Sequence, residues 1–77
     1  MHNPFELLVT YADYREGFVA EVWLNNIHIA EVYEDAQGDK RVELYFMQKQ
    51  DLSLPLEALQ ETLQRAKETL WPTVRPE

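Results

Sequence analysis

The hydrophobic period changes once along this chain, and that single change sets the fold class. Before residue 47 the apolar residues alternate in short runs. After residue 55, Leu56, Leu59, Leu63, Ala66 and Leu70 recur at spacings of 3, 4, 3 and 4. The first pattern places side chains on opposite faces of a strand; the second lines one face of a helix. Four strand-like runs and one amphipathic helix leave few architectures open.

The strand-like runs are FELLVTY (Phe5–Tyr11), Phe18–Leu24, Ile27–Glu34 and KRVELYF (Lys40–Phe46). Between the first two, ADYREG supplies turn chemistry, with Gly17 the residue able to take positive φ. Asn25-Asn26 separates the second and third. Asparagine tolerates the left-handed region, so a two-residue hairpin turn is expected there. DAQGD closes the third run. Connections this short favour antiparallel pairing, because parallel strands need long crossovers. The helix has Ser53 as a candidate cap, Pro55 in its first turn, and a Glu61–Arg65 pair at i, i+4. Trp71-Pro72 ends it, since the residue before a proline is driven out of the helical region. The expected fold is α+β: a four-stranded antiparallel meander with one C-terminal helix packed on one face, ββββα, in two layers. Residues 1–77 form one small domain, with 1–4 and 72–77 expected as flexible ends. A leucine stripe of two heptads is too short for a credible coiled coil, and the sheet needs a cover.

Nearly the same hexapeptide is written twice, FVAEVW at Phe18–Trp23 and HIAEVY at His28–Tyr33. If Asn25-Asn26 is the whole turn, Leu24 faces Ile27, Trp23 faces His28, Val22 faces Ile29, Glu21 faces Ala30 and Ala20 faces Glu31. One sheet face then carries Phe18, Ala20, Val22, Leu24, Ile27 and Ile29 for the helix. The other carries Val19, Glu21, Trp23, His28, Ala30 and Val32. A register slipped by one would set Glu21 directly across from Glu31, and like charges facing each other destabilise a pair, so the unslipped register is expected. With one helix for four strands, one face is left uncovered. It mixes carboxylates with Trp23, Tyr33 and Tyr45.

Composition removes several function classes. The chain has no cysteine, so disulfides and thiolate metal sites are excluded. His2 and His28 show no ligand spacing, EDAQGDK lacks the alternation of a calcium loop, and no metal or cofactor is expected. Ser53 is the single serine and has a capping role, and neither histidine has a nucleophile partner, so no enzyme is expected. Two glycines build no phosphate cradle. Lys40, Arg41 and Lys49 make at most a small patch, and a net charge of −7 opposes phosphate contact, so direct nucleic-acid binding is not expected. No apolar run reaches a membrane span and no leader pattern precedes Phe5, which makes the cytoplasm the default location.

The charge is unevenly placed. Residues 1–35 hold seven acids against Arg15 alone, a net of −6; residues 36–77 hold seven acids against six bases, a net of −1. An acidic half beside an aromatic–acidic face suits a basic partner, with aromatics giving contact area and carboxylates steering the approach. The expected function is therefore a non-catalytic protein-binding module. Its favoured form is a small acidic inhibitor of the immunity-protein or antitoxin type that covers a basic site on a nucleic-acid-handling protein. Glu21, Trp23, Glu31 and Tyr33 are the candidate contact residues, with Glu34 and Asp35 at the rim. The alternative is a structural module that dimerises with its own copy through the open sheet face.

Overall fold

The computed structural model describes residues 3–45 and 52–73. Four strands, β1 (Phe5–Ala12), β2 (Gly17–Leu24), β3 (Ile27–Glu34) and β4 (Lys40–Leu44), form an open antiparallel sheet in the order β1-β2-β3-β4. A C-terminal helix, α1 (Leu56–Leu70), packs across β1, β2 and β3. The expected ββββα architecture is the observed one. Phe46, assigned to the fourth strand from sequence, lies outside the described residues, as do His2 and Lys49. Among the described residues, no helix is long and apolar enough to cross a membrane.

Turn chemistry works at Asn25 and Asn26, which take φ of 50° and 64° and close a two-residue hairpin. At the first turn the left-handed residue is Glu16, φ 56°, and not Gly17. Glu16 caps a single 3₁₀ turn, Asp13–Arg15, with its amide donating to the Asp13 carbonyl at 3.2 Å. That turn lies against the sheet face away from α1, where its Tyr14 and Arg15 hydrogen-bond Glu31.

The core lies between α1 and the sheet. Phe5, Val22, Ile29 and Ala30 pack with Leu59 and Leu63; Ala20 and Val32 pack with Ala66 and Leu70. Leu56, the first member of the leucine stripe, is instead 67% exposed, and Thr62 is buried in the helix face. Its hydroxyl donates to the Ala58 carbonyl and accepts from Asn3 Nδ2 at 2.9 Å. Asn3 also donates to Ala58 O and accepts from the Phe5 amide, so this part of the expected loose N-terminus is tied to the helix. Ser53 does not cap α1: Pro55 occupies the N-cap without a side-chain bond, and its carbonyl accepts the first helical hydrogen bond from Leu59.

The hairpin register departs from the expected one after two pairs. Leu24 faces Ile27 and Trp23 faces His28, but then Val22 faces Ala30, Glu21 faces Glu31 and Ala20 faces Val32. Ile29 is the extra residue of a β-bulge between those pairs, and its carbonyl accepts from the Tyr45 amide at 2.9 Å. The physical reason lies under the helix. Unbroken alternation from Ile27 would carry Glu31 into the apolar layer opposite Ala20. An ion taken from water without partners costs several kcal/mol, whereas a like-charge cross-strand pair costs about 0.2–1 kcal/mol. The bulge turns Glu31 away from the helix and puts Ala30 and Val32 beneath it. Phe18 and Ile27, expected under the helix, are 66% and 51% exposed.

Candidate functional site

Three glutamates form a row across the sheet face opposite α1. Glu21 on β2 pairs with Glu31 on β3, and Glu31 pairs with Glu43 on β4. Three carboxylates side by side need compensation, and the 3₁₀ turn supplies it. Tyr14 donates its hydroxyl to Glu31 Oε1, and Arg15 donates through Nε to Glu31 Oε2 at 2.7 Å and through Nη2 to Glu43 at 3.0 Å. Glu31 is 0% exposed, so the turn acts as a roof over the centre of the row. The Arg15 guanidinium also lies 3.4 Å from the Tyr33 ring centroid, a close cation–π contact. Glu21 is held separately, accepting from Trp23 Nε1 at 3.1 Å.

The titration behaviour follows from these contacts. Burial disfavours the Arg15 charge, but hydrogen bonding to Glu31 and Tyr45 and the charge of Glu31 outweigh it, raising the pKa above its ordinary value. The bond to Glu31 raises the Tyr14 phenol above 10.0. Tyr45 is raised further, first by burial and then by its bond to Glu43.

An aromatic stack borders the row. Trp23 and His28 lie parallel, with centroids 4.9 Å apart and planes at 11°, and Tyr45 leans on the other side of the imidazole at 4.9 Å. Below the 3₁₀ turn, a groove of about 780 Å³ opens between the start of β2, the end of β3 and the end of α1. Tyr14, Phe18, Tyr33 and Trp71 contribute aromatic surface; Asp13, Glu16, Glu34 and Asp35 contribute carboxylates. Arg15 also lines it, with its Nε bonded to Glu31 and its Nη2 to Glu43. Lys40 sits nearby, its ammonium 5.3 Å from the Trp71 ring.

The six residues singled out from sequence thus fall into two groups. Glu21 and Trp23 are half-buried in the row and stack, and Glu31 is enclosed; Tyr33, Glu34 and Asp35 border the groove. Tyr33 joins the two through Arg15. Glu31 is enclosed away from the protein surface, its carboxylate engaged by Tyr14 and Arg15. Asp35 has a structural task as well: its Oδ1 accepts from the amides of Gln37 and Asp39 at 3.0 and 2.9 Å, shaping the β3–β4 turn. Sequence reasoning missed Arg15, Tyr14 and Trp71. Arg15 carried a usable signal as the sole base among the first 35 residues.

The fold and this face define a small acidic α+β domain with a roofed carboxylate row and an acid-lined aromatic groove. The chain matches no protein-family model, no curated protein and no solved structure.

Proposed function

We propose that the protein is a non-catalytic binding module, a small acidic inhibitor that covers a basic site on a nucleic-acid-handling protein. The observation that carries this reading is the groove at Tyr33–Asp35, where Asp13, Glu16, Glu34 and Asp35 surround aromatic walls. Aromatic surface bordered by four carboxylates against Arg15 fits a lysine or arginine side chain, through cation–π contact at the walls and ion pairing at the rim. The N-terminal half, net −6, extends the attraction beyond the groove and speeds encounter with a basic partner. Glu31 contributes by fixing the roof that forms one wall. Self-association through the Trp23 face is the weaker reading, because a two-fold contact would bring the carboxylate rows of two copies together.

The test is capture from native lysate at low and high salt, followed by assay of the captured partner's activity on nucleic acid. A basic partner released by salt, and inhibited by the wild type but not by a Tyr33→Ala/Glu34→Lys variant, is the expected result. Capture and inhibition unchanged in that variant would remove the groove from the account. A concentration-dependent dimer in light scattering, with no partner captured, would favour self-association.

A further inference from the structure

We propose that Glu21, His28 and Glu31 form a binding site for a divalent transition-metal ion of the zinc class. One ligand atom from each lies within 4.8 Å of the others. Three atoms so spaced share a point no more than about 2.8 Å from each, 4.8 divided by √3. Zinc bonds to imidazole and carboxylate are about 2.0–2.2 Å. Inward shifts of at most about 0.6–0.8 Å by each of the three ligand atoms close that gap.

The bulge makes the constellation. Residues 28 and 31 are an odd number apart, so in a regular strand their side chains would leave opposite faces of the sheet. With Ile29 as the extra residue, both join Glu21 on the face away from α1. Bulges re-aim side chains in this way at binding sites.

A second observation comes from the imidazole itself. His28 Nε2 is shielded from solvent and has no hydrogen-bond partner among the described residues, and a ring nitrogen of the same imidazole is one of the three clustered ligand atoms. A lone ring nitrogen in that position is either an unsatisfied polar atom or a ligand. Charge points the same way. Among the described residues, Arg15 is the one cation ion-paired to the row, which holds the carboxylates of Glu21, Glu31 and Glu43, so the row keeps uncompensated negative charge that suits a cation. The carboxylates already have outer partners: Trp23 Nε1 on Glu21, Tyr14 and Arg15 on Glu31. Ligating groups in metal sites are held in this manner. Glu31 retains lone pairs after accepting those two bonds, since a carboxylate has about four acceptor sites. An imidazole in the set selects zinc-class ions over magnesium and calcium. The ion would pin β2 to β3 and stabilise the native state by mass action.

The experiment is calorimetric titration of the full chain with Zn²⁺ and, in parallel, Mg²⁺ at neutral pH, together with thermal melts. His2 near the chain start is a competing site, so a His2→Ala variant is titrated as well. One zinc per chain, a raised melting temperature, no heat with magnesium and retention in His2→Ala are expected. Binding should be lost in His28→Ala, and weakened about 10–100-fold in Trp23→Phe, which keeps an aromatic ring but removes the N–H that holds Glu21. His28→Gln, closer in shape, guards against a folding defect, and circular dichroism of each variant verifies the fold. Absence of zinc binding by the folded wild type, binding unchanged in folded His28→Gln, or binding abolished by His2→Ala would each overturn the proposal.

Discussion

Replacing Arg15 by methionine keeps the aliphatic stem over Tyr33 but removes the guanidinium that donates to Glu31 Oε2 and to Glu43. Among the described residues, the enclosed Glu31 carboxylate is then left with the Tyr14 hydroxyl as its one side-chain partner. Removing one partner of a buried pair costs about 3–5 kcal/mol. The Arg15 side chain is 17% exposed, so the lower end applies. A 77-residue domain has roughly 4–12 kcal/mol in total, at about 0.05–0.15 kcal/mol per residue. A loss near 3 kcal/mol is therefore a large share of it. Thermal midpoints should fall by about 12–24 °C, at roughly 4–8 °C per kcal/mol for a domain of this size. Equilibrium urea unfolding, followed by tryptophan fluorescence, measures the change directly. The double variant Arg15→Met/Glu31→Met removes both charges and should recover most of the loss, since well-packed apolar replacements for a buried pair are often neutral. A single variant within about 0.5 kcal/mol of wild type, the range of ordinary surface changes, would show that the roof is not closed over Glu31. A double variant no more stable than Arg15→Met would refute the coupling.

Three further outcomes follow from particular contacts. Asn26→Ala should destabilise by about 1–2 kcal/mol in urea unfolding, because alanine lacks asparagine's tolerance of φ 64°, while Asn26→Gly should be close to neutral. Thr62→Val keeps the buried volume but removes the acceptor for Asn3, and should cost about 1 kcal/mol by the same assay. Tyr14 and Tyr45 have folded pKa values raised above 10.0, so folding favours their protonated forms. That stability is complete below pH 10 and declines as pH rises above it, and Tyr45→Phe should flatten the decline measured by urea unfolding at alkaline pH.

The strand and helix order was legible because it depends on local patterns: alternation in four runs, a 3-4-3-4 stripe, and Asn25-Asn26 where positive φ was needed. The site was legible only in part. Trp23 and Glu21 were placed on the face away from the helix, as observed, because their positions depend on the turn alone. Ala30, Glu31 and Val32 were placed on the wrong faces because the decision there is tertiary. Comparing only cross-strand charges favours the unbulged register; including the helix above reverses the balance, since it would enclose Glu31 among Ala20 and Ala66. The roof was missed for a similar reason. Nothing local marks Tyr14 and Arg15 as partners of a residue 16 or 17 positions away, although a single base among seven acids has few alternatives. The absence of ligand spacing for a metal was a statement about linear sequence, and a bulge joins residues that spacing rules do not anticipate.

The register of β2 on β3 underlies the roof, the carboxylate row and the proposed ion site alike. A nuclear Overhauser spectrum of the isotope-labelled protein reads it directly. The bulged pairing predicts cross-peaks from the Glu31 side-chain methylenes to the Tyr14 ring and to Glu21. Cross-peaks from Glu31 to Ala20 and Ala66 instead, with the Tyr14 ring free of β3, would place the carboxylate under the helix and contradict the account.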